Sequence, residues 1–288
     1  NIQLQEAKVA FDRMHEVVGL PMEEDQENGG QSISNDQTLL SVTHLSFRYP
    51  GRSTILKGVS FELQPGESLG LFAPVGTGKS TLVDLIQKFY QPESGEIHLP
   101  FLENQKPSLS EWREKLAVVH QKEKIFNSTV LDNIVLSSDP KEIEAKIQVM
   151  QALGCLPLFQ DLNQGLITLC GEEGRNLSGG QRQLVGLVRA LVKQPKILIL
   201  DEATAAMDYR MERAVMDLLR TYLHQTGAGL LLITHQPTLA YSLDRILILE
   251  QGKISTSGTP AQLLTTENPF SAAFQYILQP KTDASWQA

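Results

Sequence analysis

A glycine-rich segment, Ala73-Pro-Val-Gly-Thr-Gly-Lys-Ser-Thr81, constrains the fold of this 288-residue chain more than any other feature. The apolar run 68–72 enters the segment as a predicted strand, and a predicted helix over 79–89 leaves it. In this setting, backbone N–H groups and a helix N-terminus can converge on phosphate oxygens. The strict pattern has glycine where Ala73 stands, and alanine fits there if its φ is negative. The segment therefore predicts an α/β fold with a phosphate-binding loop.

Two further motifs follow this loop. Residues 177–183 read Leu-Ser-Gly-Gly-Gln-Arg-Gln, and the apolar run 197–200 ends in Asp201 and Glu202. The first five residues of the former would occur by chance in well under about one chain in a thousand. Carboxylates at the C-terminal end of a buried parallel strand face the crevice where ligands bind. With all three motifs in this order, the chain resembles the nucleotide-binding domain of an ABC transporter over about residues 39–277.

The resemblance implies a P-loop NTPase core with a mostly parallel sheet, an antiparallel β-subdomain and an inserted helical subdomain at about 125–190. The ATPase domain would span 39–288. Residues 1–22 predict a helix that resembles the cytosolic end of a transmembrane helix in fused exporters. An amphipathic helix that packs on its own domain is the alternative. Residues 23–38 are acidic and poor in apolar side chains, which is typical of a solvated linker.

Periodicity and turn residues predict the remaining elements. Alternating or apolar runs predict strands at 41–49, 59–63, 197–200 and 230–233, and a hairpin of 245–250 with 253–255 over Gln251-Gly252. Helices are predicted through most of 140–192, with a break at 171–174. The helix after the Gly-Gly pair is predicted to cover 184–193, and a final helix is predicted over 269–278.

ATP and Mg²⁺ are the cofactors that the resemblance implies. Lys79 would neutralise the β- and γ-phosphates, and the Ser80 hydroxyl would hold Mg²⁺. Tyr49 matches the aromatic residue that stacks on adenine, although an ordinary strand aromatic is the alternative. The residues expected to bind the nucleotide are Tyr49, Val75, Gly76, Thr77, Gly78, Lys79, Ser80, Thr81, Ser178, Gly179, Gly180, Gln181 and Asp208.

The catalytic residues implied by the resemblance are Glu202, His235 and Gln121. Glu202 would act as the general base on the attacking water, and His235 would contact the γ-phosphate. Asp201 would bind Mg²⁺ together with Ser80 and Gln121. Capping of a following helix by Asp201 or Glu202 is a simpler role that does not compete with these.

The motif at 177–183 implies a partner. In the resembled family Ser178, Gly179 and Gly180 reach the ATP held by a second nucleotide-binding domain, and the loop containing Asp208 crosses the same seam. We therefore expect a head-to-tail dimer with two ATP, although the sequence leaves homodimer and heterodimer open. A serine is common where Ala205 stands, so one contact across the seam would be missing.

Residues 171–176, Gly-Glu-Glu-Gly-Arg-Asn, resemble a segment of exporters rather than importers. Glu172 or Glu173 would contact the intracellular helices of a transmembrane domain, fused N-terminally or separate, although a solvated loop is the simpler interpretation. The resemblance thus implies ATP-driven export at the cytoplasmic face of the cell (inner) membrane, with importer-type and soluble ABC ATPases as alternatives. A non-hydrolysing module is disfavoured because Glu202 and His235 are both present.

Charge and cysteine content limit the other partners. The formal net charge is −8, and residues 1–38 carry eight acidic and two basic side chains. We expect no nucleic-acid partner, because no basic stripe is available to replace counterions. Cys155 and Cys170 are the two cysteines, and we expect both to be buried free thiols.

Overall fold

The computed structural model describes residues 38–74, 76–102 and 107–278. One compact unit, residues 32–288, contains all of them. The predicted N-terminal helix over 1–22 and, apart from Thr38, the predicted linker over 23–38 lie outside the described residues, as does Val75.

The described strands form two sheets. In chain order the strands are β1 (Leu40–Phe47), β2 (Leu56–Leu63), β3 (Ser68–Phe72), β4 (Ser94–His98), β5 (Leu116–Val119), β6 (Ile197–Asp201), β7 (Gly229–Thr234), β8 (Arg245–Glu250) and β9 (Lys253–Gly258). An antiparallel sheet has the order β2-β1-β4, and the larger sheet has the order β5-β6-β7-β3-β8-β9. All neighbours in the larger sheet are parallel except β8 and β9. This arrangement confirms the predicted α/β class with a mostly parallel sheet and a separate antiparallel sheet.

The described α-helices connect and cover these strands. They are α1 (Lys79–Ile86), α2 (Leu109–Glu114), α3 (Val130–Val135), α4 (Pro140–Ala152), α5 (Gly179–Leu191), α6 (Tyr209–Thr226), α7 (Pro237–Ala240), α8 (Pro260–Leu264) and α9 (Pro269–Leu278). No helix among the described residues is long and apolar enough to cross a membrane.

The central parallel strands are buried on both faces, and most of their residues are apolar. Every residue of β3 and β7 is buried, as is expected where parallel strands have helices on both sides. The register places Phe72 of β3 opposite Thr234 of β7, and Asp201 of β6 opposite Ile233. The carboxyl ends of β3, β6 and β7 thus meet at one edge, which holds the candidate site.

Local signals placed several elements correctly. The predicted hairpin is confirmed as β8 and β9, and Gln251 and Gly252 between them have φ values of 49° and 82°. These positive values match a two-residue hairpin turn. The helix predicted over 79–89 begins as expected but ends at Ile86. It stops there because Lys88 has φ 58°, outside the helical region.

The prediction of helices through most of 140–192, with a break at 171–174, is confirmed at the two ends of that range but not in its middle. The α4 helix ends at Ala152, and α5 begins only at Gly179. Between them lie short 3₁₀ turns, because Gly154, Gly165 and Gly171 all take positive φ and interrupt helical geometry. The helix predicted to start at 184 instead starts at Gly179, so the Gly-Gly pair belongs to its first turn.

Both cysteines are free and buried, as predicted. Burial raises the pKa of the Cys155 thiol to about 11, so this thiol stays protonated at neutral pH. The pKa of Cys170 is also raised, chiefly by burial.

Candidate functional site

The phosphate-binding loop has the backbone that its sequence predicts. Gly76 has φ 83° and Gly78 has φ 99°, and both values favour glycine. A side chain at Gly78 would also place its Cβ 2.7 Å from Ile55 Cγ2. Ala73 is buried and does not have positive φ, which is the condition for alanine at this position. Ala73 is therefore compatible with the backbone of the described part of the loop, despite the missing first glycine.

Lys79 begins α1 and points back into the loop. Its Nζ donates to the Ala73 carbonyl oxygen at 3.2 Å and to Glu202 Oε1 at 2.8 Å. The Lys79 side chain is 9% exposed and that of Glu202 is 15% exposed. The two charges are largely removed from water and depend on each other for compensation.

Glu202 is the centre of the candidate site. Besides Lys79, its carboxylate accepts from Gln121 Nε2 at 3.2 Å and lies 3.2 Å from His235 Nδ1. Its backbone has φ 53°, a strained value for a residue with a Cβ, and its N–H donates to the Ile233 carbonyl oxygen. Burial alone would raise the pKa of Glu202, but the hydrogen bonds and charges of Lys79 and His235 outweigh it and lower that pKa.

Asp201 and Ser80 provide oxygen atoms beside this centre. Ser80 Oγ lies 3.3 Å from Asp201 Oδ2. Burial raises the pKa of Asp201 more than its bond from Ser80 lowers it, so a cation at this carboxylate would offset the cost of its charge. Among the described residues no group of three His, Cys, Asp or Glu could hold a metal. The donor set nevertheless fits Mg²⁺, which takes few protein carboxylates and completes its shell with phosphates and water.

Tyr49 lies within an aromatic cluster next to the loop. Its ring packs edge-on against Phe47 and Tyr90, with centroid distances of 5.0 Å and 5.2 Å. Its hydroxyl lies 3.4 Å from Thr81 Oγ1. The nearby Thr77 hydroxyl donates to the Pro74 carbonyl oxygen at 2.8 Å. The cluster therefore puts an aromatic ring at the start of α1.

The segment 178–181 forms the N-terminus of α5. Ser178 and Gln181 form a capping box, in which each side chain accepts a hydrogen bond from the backbone N–H of the other. The N–H groups of Gly179 and Gly180 take no partner among the described residues. A Cβ on Gly180 would lie 3.0 Å from the Ala206 carbonyl oxygen, so glycine permits the close contact of α5 with the loop 203–208.

Asp208 ends this loop and caps α6. Its Oδ1 accepts from the Met211 N–H at 2.8 Å, and the residue is exposed. Among the described helices, the one after Asp201 and Glu202 has Asp208 as its N-cap, so the simple capping role considered from the sequence is wrong. Glu172 and Glu173 are both exposed, and Glu173 has φ 50°.

Apart from Tyr49 and the loop residues Val75, Gly76, Thr77, Gly78 and Thr81, the predicted site residues fall into two groups. Hydrogen bonds or ion pairs link the first group around Glu202: Lys79, Ser80, Gln121, Asp201, Glu202 and His235. The second group surrounds the start of α5 and the loop before α6: Ser178, Gly179, Gly180, Gln181 and Asp208. Within the described part of the chain, Ser178 and Gln181 bond to each other and not to the phosphate-binding loop.

Sequence reasoning assigned no role to one residue that joins these groups. Gln183 is 3% exposed and hydrogen bonds to the backbone of both Gln121 and Ala206. A signal for it existed, because Gln183 is a polar residue among the apolar residues that α5 buries.

Known proteins are similar to this chain in sequence. The model of the ABC transporter family matches residues 56–205, and leukotoxin translocation ATP-binding protein LktB of Mannheimia haemolytica is 35% identical over 268 residues. The chain belongs to the ABC transporter family. The same protein from Bibersteinia trehalosi is also 35% identical, and each alignment covers 92% of this chain and 37% of the relative. The chain thus spans little more than a third of these curated relatives.

A solved structure supports the same assignment. A bacterial Atm1-family ABC exporter with ATP bound superposes with a TM-score of 0.79 at 27% sequence identity. The alignment covers 96% of this chain and 48% of the exporter chain. This ABC transporter chain therefore has the P-loop NTPase fold.

Proposed function

We propose that this chain binds and hydrolyses ATP to power export across a membrane. The observation that carries the proposal is the environment of Glu202, whose carboxylate is joined to Lys79, Gln121 and His235 at the carboxyl edge of a parallel sheet. Ligands bind at this edge in open α/β sheets. A partly buried carboxylate with several polar partners is a strong candidate for a catalytic group.

Lys79 and the loop are the proposed phosphate site. The left-handed glycines and the N-terminus of α1 direct N–H groups at an anion, and Lys79 adds a positive charge. Tyr49, together with residues 75–81, would hold the nucleotide, with the Tyr49 ring available to stack on the base. The γ-phosphate would then take the place of Glu202 as the partner of Lys79.

Mg²⁺ is the proposed metal, held by Ser80, Asp201 and Gln121. When bound, the ion would neutralise charge on the β- and γ-phosphate oxygens. Glu202, released from Lys79, would accept a proton from the attacking water. His235 is 52% exposed and could turn from Glu202 toward the γ-phosphate.

The second group of site residues implies a dimer in this proposal. The free N–H groups of Gly179 and Gly180 suit a phosphate, yet Ser178 and Gln181 make no bond to the phosphate-binding loop of their own chain within the described residues. We infer that they act on ATP held by a second nucleotide-binding domain. Asp208 would contribute to the same seam.

Export is supported by the relatives' descriptions, a leukotoxin translocation protein and an exporter. On this basis the chain would work with a transmembrane domain at the cytoplasmic face of the cell membrane. Glu172 and Glu173 are exposed and free to contact that domain. An importer or soluble ABC ATPase would have the same site but different partners.

Hydrolysis by the 288-residue chain tests the proposal. We expect phosphate release from ATP that requires Mg²⁺ and falls at least about 100-fold in Glu202→Gln, because an amide cannot accept the proton. Glu144→Gln makes the same chemical change on the exposed surface of α4 and should match the parent. Equal turnover by Glu202→Gln and the parent would remove the general-base role.

A further inference from the structure

Gln183 connects two loops of the candidate site through one buried side chain. Its Oε1 accepts from the Ala206 N–H at 2.9 Å, and its Nε2 donates to the Gln121 carbonyl oxygen at 3.3 Å. A side-chain amide carries both an acceptor and a donor, so it can satisfy both backbone groups at once. The side chain is nearly inaccessible to water, which makes either bond costly to leave unmade.

These bonds close a ring around the catalytic carboxylate. Gln121 Nε2 donates to Glu202 Oε2 at 3.2 Å, and the Ala205 N–H donates to the Glu202 carbonyl oxygen at 3.2 Å. The ring therefore runs from Gln121 through Gln183 to Ala206 and returns through Glu202. Its members fix one another, because the length of the Gln183 side chain sets the spacing between the two loops.

Packing reinforces the same link. The loop 203–208 rests on the first turn of α5, where a Cβ on Gly179 would lie 3.0 Å from the Ala206 Cβ. A Cβ on Gly180 would lie 3.0 Å from the Ala206 carbonyl oxygen. The α5 helix is thus a rigid support, and Gln183 is the side chain through which it holds both loops.

We propose that Gln183 is a positioning residue that holds Gln121 and the loop 203–208 in the register that directs Glu202 at its substrate water. The inference rests on the proposed ATP hydrolysis. Gln183 itself touches neither Glu202 nor, in this proposal, the nucleotide. Because Asp208 lies on the same loop, Gln183 also connects the proposed dimer seam to the catalytic carboxylate.

Hydrogen exchange tests the link without requiring turnover. In Gln183→Met, which keeps the length of the side chain but removes both bonds, the Ala206 amide should exchange at least about tenfold faster than in the parent. Val188→Ala, a buried change on the same helix away from both loops, should leave the Ala206 amide unchanged. NMR of the labelled 288-residue chain reads this amide directly, and unchanged exchange in Gln183→Met overturns the proposal.

Kinetics tests the consequence. Gln183→Met should lower kcat for ATP about tenfold while KM stays within about twofold, because positioning is lost and ATP contacts are kept. Gln183→Glu can still accept a hydrogen bond from the Ala206 N–H, so its kcat should lie between those of Gln183→Met and the parent. Val188→Ala should keep the parent kcat even if its thermal midpoint falls by as much as that of Gln183→Met.

The coupling to Gln121 separates positioning from general loss of structure. Combined with Gln121→Ala, Gln183→Met should lower kcat by less than the product of the two single effects. Fully multiplicative effects, or a rise in KM equal to the loss in kcat, would overturn the proposal. If the parent itself does not hydrolyse ATP, the proposed function fails, and the Ala206 exchange result still decides whether Gln183 holds the loops.

Discussion

At the scale of single residues, Lys79 pairs with Glu202, so its proposed role in phosphate binding competes with that ion pair. Lys79 is the residue proposed to bind phosphate, yet in this structure its Nζ donates to Glu202 at 2.8 Å. Both side chains are largely buried, so each stabilises the charge of the other. A bound γ-phosphate must therefore compete with Glu202 for Lys79.

This competition predicts that Glu202→Gln binds ATP more tightly than the parent. In the parent, Lys79 must break its ion pair with the Glu202 carboxylate before it can bind phosphate, and the substitution removes that charge. A hydrogen bond between charged groups contributes about 1.5–3 kcal/mol. Part of this is retained by the Gln amide oxygen, so we expect affinity to rise on the order of 3–10-fold. Titration of a fluorescent ATP analogue without Mg²⁺ measures it while turnover is suppressed.

Glu144→Gln is again the matched control, because Glu144 is exposed on α4. The affinity of this variant for ATP should equal that of the parent. Weaker binding by Glu202→Gln would mean that the carboxylate supports the nucleotide rather than competes with it.

At the scale of elements, close contact between α5 and the loop 203–208 depends on Gly180. A Cβ there would lie 3.0 Å from the Ala206 carbonyl oxygen and 3.2 Å from Met207 Cα, and both are backbone atoms. We expect Gly180→Ala to lower the free energy of unfolding by about 1–3 kcal/mol, as overpacked sites do. Helix propensity alone predicts the opposite, a gain of up to about 1 kcal/mol.

Gly179→Ala provides the comparison, because its Cβ would meet only the Ala206 side chain within 3.5 Å. We expect a smaller loss, because this Cβ meets a single methyl carbon whereas a Cβ on Gly180 meets two backbone atoms. Urea unfolding of both variants and the parent measures the difference. A Gly180→Ala protein as stable as the parent would show that the loop moves freely from α5.

Sequence patterns predicted the elements whose signal is local. Apolar runs and glycine spacing predict the strands β3, β7 and β8 and the loop into α1. The predicted bounds of β3 and β8 match the structure, and those of β7 differ by one residue at each end. The strand β4 was not predicted because Ser94–His98 has little apolar content. Its pairing with β1 makes this segment a strand. The bounds of α5 were wrong because a Gly-Gly pair lowers helix propensity, whereas the Ser178 capping box starts the helix there.

The candidate site was predictable as a set of residues but not as a network. Motifs named Lys79, Gln121, Glu202 and His235 separately, and the carboxyl edge of the sheet implied that they would lie near one another. The ion pair between Lys79 and Glu202 and the bridging role of Gln183 depend on long-range packing. The sequence marks Gln183 only as a polar residue among the buried apolar positions of α5, and it does not show which groups the side chain bonds.

At the scale of the whole molecule, we expect ATP to control association of two copies of the chain. The surfaces proposed to meet, the start of α5 at 178–180 and the loop 203–208, expose small or polar side chains (Ser178, Ala205, Ala206 and Asp208), so no large exposed apolar side chain among them holds the dimer without a ligand. Two ATP at the seam bind only the closed state and shift the equilibrium by mass action. The prediction is that Glu202→Gln, which retains ATP, forms a dimer with ATP and stays mostly monomeric with ADP or without nucleotide.

Ser178→Arg tests the same seam from the other side. Ser178 caps α5 and makes no bond to its own phosphate-binding loop within the described residues, so the variant should still bind ATP as a monomer. Loss of the cap costs about 1 kcal/mol of stability, and the long side chain should block the partner's nucleotide. Ser138→Arg places the same charge at an exposed site and should not affect dimer formation.

Sedimentation velocity of each protein in the Glu202→Gln background, with ATP, with ADP and without nucleotide, distinguishes the outcomes. ADP lacks the γ-phosphate that the N–H groups of Gly179 and Gly180 are proposed to bind, so it leaves the two surfaces without their shared ligand. Dimers of equal strength in all three conditions would show that association does not need ATP. Normal ATP-driven dimers of Ser178→Arg would mean that the start of α5 does not reach the partner's nucleotide, because an arginine could not be accommodated there.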